Sequence, residues 1–157
     1  KYLSPDHAYK GLVLTDLGNI YIDLKEYPKA LRLLEQSQDL LKKRYSDNHL
    51  SMGHVLRTLG RLYLLQGSLP KAEHFLDRAL KIFKQHQHPE IYASLELLAE
   101  LFLKKSRSLK TEKNFSQELK KKALEYLKEA LGILEVNFPK ESAHRLRIQE
   151  ELKKIAS

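Results

Sequence analysis

The seven histidines are the residues of this chain best suited to metal binding or proton transfer, because an imidazole can ligate a metal or titrate near neutral pH. Three of them, His7, His49 and His88, recur at offsets of 42 and 39 residues. A residue that returns with a fixed period indicates a structural requirement shared by successive units, so we interpret these three as junction residues. His86 and His88 lack a carboxylate or a third histidine at ligand spacing, and we therefore predict no metal site and no cofactor.

Residue patterns that support catalysis are absent from the sequence. There is no cysteine, which excludes cysteine nucleophiles, disulfides and zinc–thiolate sites. The glycine-rich patterns that hold nucleotides and the G-x-S-x-G turn that exposes a nucleophilic serine do not occur either. Adjacent carboxylates such as Glu150 and Glu151 point apart on a helix. We therefore predict that the chain is not an enzyme.

The whole chain carries a formal charge of +8. This positive charge is concentrated in one segment, residues 104–122. One interpretation is a solvated excursion between two long helices, since charge runs usually keep a surface soluble. The other is a docking surface for an acidic peptide, nucleic acid or anionic lipid. Phe115 and Leu109 are too few apolar groups to stack bases or enter a membrane, so nucleic acid is not an expected partner. The basic patch consists of Lys104, Lys105, Arg107, Lys110, Lys113, Lys120, Lys121 and Lys122.

The histidines and the basic segment lie within an internal sequence repeat. Leu17-Gly18-Asn19-Ile20-Tyr21 aligns with Leu59-Gly60-Arg61-Leu62-Tyr63 at an offset of 42 residues, and Tyr27-Pro28-Lys29-Ala30 aligns with Leu69-Pro70-Lys71-Ala72 at the same offset. A looser third copy begins at Leu98-Ala99-Glu100-Leu101-Phe102 and returns as Lys122-Ala123. Its halves are separated by about 12 extra residues, which coincide with the basic segment.

Each half of a copy has the apolar spacing of a helix, in which residues three and four apart share a face. Pro28 and Pro70 stand where the second helix of a pair begins, and proline is tolerated in a first turn. Gly18 and Gly60 lie inside the first helices, where glycine costs about 1 kcal/mol relative to alanine. We therefore predict a close approach of the second helix at each glycine. The predicted facing residues are Ala30, Ala72 and Ala123.

These residues resemble the tetratricopeptide repeat (TPR), whose pattern is a large apolar residue, Leu-Gly, an aromatic residue, Ala and another small residue. The second copy supplies Leu56, Leu59-Gly60, Tyr63, Ala72 and Ala79. The first copy departs from the pattern at Ser37, and the third through its insertion. The period of 42 is similar to that of the kinesin-light-chain subclass, which has extended helices. The resemblance implies an all-α fold, a TPR-type α-solenoid of three antiparallel helix pairs and a C-terminal capping helix, wound as a right-handed superhelix.

We expect one domain over residues 1–157, with repeats at about 8–49, 50–89 and 90–139 and a capping helix at about 141–155. Lys1 to His7 is similar to the tail of a repeat junction, so the chain is expected to be a fragment of a longer protein with further repeats before it. No apolar run approaches the roughly 20 residues of a membrane helix. Without cysteine or a signal peptide, we expect a cytoplasmic location; the sequence leaves the oligomeric state open.

The resemblance also implies that the first helix of each pair lines a concave groove for a peptide or protein partner. Such a groove would be positive in its middle and acidic toward its C-terminal side. It would suit a partner whose acidic group meets Arg57 and Arg61, or these arginines would instead pair with Glu96 and Glu100. The positions expected to face outward are Thr15, Asn19, Asp23, His54, Arg57, Arg61, Glu96 and Glu100.

Two functions follow from these features. The first is a non-catalytic scaffold for protein–protein interaction, part of an adaptor or regulator, that holds its partner in the groove. The alternative is an architectural spacer whose basic segment, residues 104–122, docks an acidic partner or nucleic acid.

Overall fold

Seven α-helices form the parts of the chain that this computed structural model describes, residues 5–108 and 113–156. There is no strand within those ranges, and the all-α prediction is confirmed. None of the seven helices has the length and apolar character of a membrane span over its described residues. The helices are α1 (Pro5–Asp23), α2 (Tyr27–Arg44), α3 (Leu50–Leu65), α4 (Leu69–Gln85), α5 (Ile91–Ser108), α6 (Lys113–Asn137) and α7 (Ala143–Ala156).

The chain divides into two compact units, Lys1–His86 and Gln87–Ser157. In unit 1, α1 packs on α2 and α3 on α4, and α3 also contacts both α2 and α1. In unit 2, α5 packs on α6, and α7 packs on α6. Short turns join the two helices of each pair in unit 1, so these pairs are antiparallel hairpins. The organisation of the whole chain as one domain stays a prediction.

The turns within the two hairpins of unit 1 share a backbone feature. Gly67, between α3 and α4, has a φ of 77°, and Lys25, one period earlier between α1 and α2, has a φ of 61°. This left-handed conformation is natural for glycine and costs a residue with a Cβ roughly 1–2 kcal/mol. Pro28 and Pro70 then stand in the first turn of α2 and α4, as predicted.

Close approach of the paired helices at Gly18 and Gly60 is confirmed, but the facing residues differ from the prediction. A Cβ at Gly18 would lie 2.7 Å from Leu34 Cδ2, and one at Gly60 would lie 2.6 Å from Leu76 Cγ. The three predicted alanines are fully buried: Ala30, Ala72 and Ala123. In the two hairpins of unit 1, however, the residue that packs directly against the glycine is a leucine one turn further along the second helix. The leucine reaches it because helical side chains lean toward the N-terminus of their own helix.

The inserted residues of the third copy lengthen its helices. The second helix, α6, has 25 residues against 18 in α2 and 17 in α4. Near its start, Ser116 donates a hydrogen bond to the carbonyl oxygen of Ser106 at 3.0 Å, and Leu119 is buried. Over its described residues the basic segment is helical, with Leu119 buried and most of its charged side chains exposed to solvent.

The closing helix α7 buries Ile148. Arg145 of the same helix is only 8% exposed although it is charged. Its guanidinium donates to the carbonyl oxygen of Phe138 at 3.3 Å and lies 3.5 Å from the Glu135 carboxylate. Arg145 is buried because its guanidinium binds at the C-terminal end of α6, where backbone carbonyl groups lack hydrogen-bond partners within the helix.

Candidate functional site

Three of the predicted groove positions of unit 1, Asn19, Asp23 and Arg61, form a hydrogen-bonded row across α1 and α3. Arg61 donates to Asn19 Oδ1 at 3.3 Å and also to the carboxylate of Asp23. Asn19 in turn donates through Nδ2 to Thr58 Oγ1 at 3.3 Å. The side chains of Arg61 and Asp23 are 34% and 64% exposed. The Arg61 guanidinium is thus oriented by α1 and remains accessible to solvent.

The sequence also predicts that Thr15 faces outward, and that prediction is wrong. Thr15 is 3% exposed, and its hydroxyl lies 3.2 Å from the Gly11 carbonyl oxygen and 2.8 Å from Ser37 Oγ. Ser37 also donates to the Gly11 carbonyl oxygen, at 2.6 Å. Ser37 replaces the small apolar residue that the repeat pattern has there, and its buried hydroxyl requires partners. Thr15 is therefore part of the α1–α2 joint and is not accessible to a partner.

Arg57 and His54, one turn apart on α3, both lie against Phe83 of α4. The Arg57 guanidinium carbon is 5.5 Å from the centre of the Phe83 ring, within cation–π range. The His54 ring meets the same ring edge-on at 5.1 Å. Both side chains are half-buried, while Phe83 is fully buried. Arg57 therefore has an aromatic neighbour, whereas Arg61 has the polar neighbours Asn19 and Asp23.

The two acidic positions of unit 2 are engaged within that unit. Arg147 of α7 donates through Nε and NH2 to the two carboxylate oxygens of Glu96, at 2.9 and 2.8 Å. Glu96 is 13% exposed, and this burial raises the pKa of its carboxyl while Arg147 opposes the rise. Glu100 forms an ion pair with Lys104 of the following turn at 3.1 Å.

Arg147 is not among the site residues that the sequence predicts. Asn19 of α1 and Arg61 of α3, which contact each other, lie one period of 42 residues apart. Glu96 of α5 and Arg147 of α7 lie 51 residues apart. In each unit, therefore, a polar contact joins the first helix of a pair to the helix that follows that pair.

A lysine lies over an aromatic ring in each of the three helix pairs. The ammonium groups of Lys29, Lys71 and Lys122 are 5.4, 5.2 and 4.3 Å from the ring centres of Tyr21, Tyr63 and Phe102. Because these lysines occupy equivalent positions, the contact is a feature of the helix pair. Lys122 therefore has a structural role as well as a place in the basic patch.

The rest of the basic patch also contains both lysines with partners inside the protein and cations that are exposed to solvent. Lys105 also lies over the Phe102 ring, at 5.2 Å, and Lys104 has Glu100 as its partner. Lys110 lies outside the residues that the structure describes. The exposed cations of the patch on α5 and α6 are Arg107, Lys113, Lys120, Lys121 and Lys122.

Two of the recurring histidines bind backbone at the start of a first helix, as expected for junction residues. His49 Nδ1 accepts from the Ser51 amide at 3.2 Å, and His88 Nδ1 accepts from the Glu90 amide at 3.3 Å. The His49 ring also stacks on Tyr45 with 3.7 Å between ring centres. Burial, together with the nearby His86, lowers the pKa of His49. Among the described residues, no three histidines or carboxylates gather as a metal site would require.

Comparison with known proteins agrees with this geometry. The sequence profile of the tetratricopeptide repeat matches residues 2–85, which is more than half of the chain, whereas no curated protein sequence matches it. A crystal structure from Podosopora anserina, described as having nearly identical TPR-like repeats of a putative kinesin light chain, is 23% identical with a TM-score of 0.73. The superposition covers 91% of this chain and 64% of that one.

The crystal structure of a single-substitution variant of the same Podosopora anserina protein is 22% identical, with a TM-score of 0.76 over 98% of this chain and 68% of that one. The chain thus spans about two thirds of the length of these structures, and at this identity the likeness concerns the fold. TPR repeats generally mediate protein–protein interactions. The chain belongs to the tetratricopeptide repeat family, with a fold of the kinesin-light-chain type.

Proposed function

We propose that the chain is a non-catalytic protein-binding module that holds an acidic segment of a peptide or protein partner along the first helices of unit 1. Asn19, Asp23 and Arg61 form the centre of this surface, and His54 and Arg57 extend it along α3. The predicted positions Glu96 and Glu100 lie in unit 2 and are not part of this surface; Glu96 is 13% exposed and is paired with Arg147.

The observation that carries the proposal is the Asn19–Arg61–Asp23 row. Asn19 holds the Arg61 guanidinium in position, so little side-chain freedom remains to be lost when a ligand binds. Asp23, which is well exposed, neutralises the guanidinium while no partner is bound. A carboxylate of the partner would replace Asp23 as the acceptor, and competition from Asp23 would select against weakly acidic ligands.

The test is to select peptides from a random displayed library on the wild-type chain and to measure their dissociation constants by fluorescence anisotropy. Arg61→Glu should weaken the best acidic peptide by about tenfold or more, since reversal replaces an attraction with a repulsion. Arg32→Glu is the matched control, because Arg32 is an exposed arginine of unit 1 on a second helix, α2. It should leave the dissociation constant within about twofold.

The alternative function has its own arm in the same experiment. Lys120 and Lys121 are exposed on α6 and belong to the basic patch. If Lys120→Glu with Lys121→Glu removes binding and Arg61→Glu does not, the basic segment is the working surface. Selection of peptides without acidic residues would also contradict the proposal.

A further inference from the structure

Two histidines of unit 1 contact backbone groups at the turn between α2 and α3. His49 is the N-cap residue of α3, and its Nδ1 accepts a hydrogen bond from the Ser51 amide at 3.2 Å. His86, at the C-terminal end of α4, has Nε2 2.9 Å from the carbonyl oxygen of Asn48, the residue before His49. Because a carbonyl oxygen only accepts, Nε2 of His86 carries a proton. The start of α3 and the end of α4 are therefore both held at this turn by imidazole groups.

The contact of His49 requires one protonation state of its ring. Nδ1 accepts from the Ser51 amide only while it carries no proton, so the neutral ring has its proton on Nε2. The imidazolium form has N–H groups at both nitrogens and would place two donors against each other. A cation at the N-terminus of a helix also opposes the helix dipole. Histidine titrates near neutral pH, unlike the usual N-cap residues, so a proton removes this cap.

The surroundings of His49 disfavour its charged form. Its ring is half-buried and stacks on Tyr45 with 3.7 Å between ring centres. This burial lowers the pKa of His49, and the positive charge of His86 lowers it further. The next titratable or charged side chains along the same elements are Arg44 at the end of α2, Asp47 in the turn, His54 on α3 and Lys84 on α4. A proton therefore binds His49 more readily when the turn is open to water than when it is closed.

We propose that the junction between α2 and α3 is a pH-sensitive switch, in which protonation of His49 releases the first turn of α3. That turn is closely packed when the junction is closed. Met52 is fully buried, and a Cβ at Gly53 would lie 3.1 Å from Phe83 Cε1 and 3.2 Å from Ile82 Cγ2 of α4. Release of the turn exposes Met52 and separates the start of α3 from the end of α4. The inference is independent of the proposed partner surface, to which neither histidine of the junction belongs.

The test is hydrogen exchange of backbone amides in the full chain, followed by NMR between about pH 7.5 and about pH 5. The quantity compared is the protection factor, the intrinsic exchange rate divided by the observed rate, because it removes the direct effect of pH on exchange. The protection factors of Ser51, Met52 and Gly53 should fall below about pH 6.5, by up to about tenfold per pH unit, because opening takes up one proton. The amide of Leu76, within α4, should remain at least about tenfold better protected at each pH, since the opening is local.

Three substitutions assign the effect to its residues. His49→Asn keeps a side-chain acceptor for the Ser51 amide and does not titrate, so the fall in protection should disappear. His86→Gln keeps a donor for the Asn48 oxygen without a charge, and it should make the fall smaller. His74→Asn is the matched control, because His74 is an exposed histidine of α4, and it should behave as the wild type does. Circular dichroism shows whether each variant keeps its helices, and His49→Ser replaces His49→Asn if that variant loses helix.

Several results would overturn the proposal. One is wild-type protection that does not change with pH, and another is a fall that persists in His49→Asn. Equal protection of Met52 and Leu76 at every pH would mean that α3 opens only when the whole unit unfolds. A full response in His86→Gln would remove the part assigned to His86. The ¹⁵N shifts of the His49 ring give an independent check, since a proton on Nδ1 above pH 7 would contradict the contact with Ser51.

Discussion

Replacing Gly60 with alanine places a methyl group in the tightest joint of unit 1. The new Cβ would lie 2.6 Å from Leu76 Cγ, 2.7 Å from Leu76 Cδ2 and 3.3 Å from the Leu76 backbone nitrogen. Leu76 is fully buried, so its side chain has no solvent-filled space to move into. The α3–α4 pair must therefore separate slightly, or the leucine must leave its preferred rotamer.

Two opposing effects set the size of the change. Alanine in a helix interior is favoured over glycine by about 1 kcal/mol. Overpacking a closely packed core by one methyl group costs about 1–3 kcal/mol. The contact involves backbone as well as side chain, so we expect the second effect to be larger. Gly60→Ala should lower the free energy of unfolding by about 1 kcal/mol, the difference between the two.

Gly132 supplies the matched control within a helix. It lies in α6, is exposed, and has nothing within 4 Å of the position of an added Cβ. Gly132→Ala should therefore increase the free energy of unfolding by about 0.5–1 kcal/mol, through the reduced entropy of the unfolded chain. Urea unfolding followed by the helical circular dichroism signal measures both variants.

The two substitutions are expected to have opposite signs, and a stabilising Gly60→Ala would refute the reasoning. A double-mutant cycle makes the test specific to the Leu76 contact. In a Leu76→Ala background the clash is removed, so Gly60→Ala should become stabilising by up to about 1 kcal/mol. If it remains destabilising there, the cost of the methyl group has another origin.

Three further predictions concern the other contacts described above. Arg147→Ala should destabilise the chain by about 1–3 kcal/mol at neutral pH, because it leaves the buried Glu96 carboxylate without its charged partner. Burial raises the pKa of Glu96, so the deficit should shrink as the pH is lowered and Glu96 becomes protonated. His49→Ala should lower the free energy of unfolding by about 0.5–2 kcal/mol and His49→Asn by less, because asparagine also accepts a hydrogen bond from a backbone amide. Because the pKa of His49 is lowered in the fold, wild-type stability should decrease as the pH falls below about 6.5. The His49→Asn variant should lack this pH-dependent decrease. Lys25→Gly should raise the melting temperature, because it relieves a left-handed backbone conformation worth roughly 1–2 kcal/mol. Unfolding curves at several pH values measure all three predictions. The explanation for Arg147 would be contradicted by a loss of stability that does not change with pH, and the one for His49 by an equal loss in both variants. A lower melting temperature for Lys25→Gly would contradict the third.

The helices and their pairing could be predicted from the sequence because both depend on short-range patterns. Apolar spacing of three and four residues defines a helical face, and the recurrence of Leu-Gly-x-x-aromatic followed by Pro-Lys-Ala defines a helix pair. The recurrence of His49 and His88 likewise predicted junction residues, and both are hydrogen-bonded to the backbone of a following helix. The right-handed superhelix and the boundaries of a single domain stay predictions.

The candidate site was predictable only in part, because the sequence does not specify which side chains meet. Thr15 has the position of an outward-facing residue, but Ser37, 22 residues away, keeps it inside the helix pair. Arg147 of the closing helix, rather than an arginine of the second copy, forms the bidentate pair with Glu96. The contact of Asn19 with Arg61 follows the repeat period, yet only the packing of α3 on α1 brings these side chains together.

The sequence by itself determined that the chain folds as helical repeats, since period, small residues and turn residues are local properties of the chain. Tertiary structure decided which residue fills each joint, which polar side chains are buried, and which apolar surface stays exposed. Leu76 faces Gly60 because helical side chains lean toward the N-terminus of their helix. Thr15 and Ser37 have polar side chains, and both are buried because they hydrogen-bond to each other in the α1–α2 joint. Whether a side chain is buried depends on which residues pack around it. Those residues are often far away in the sequence, so a local sequence pattern does not identify them.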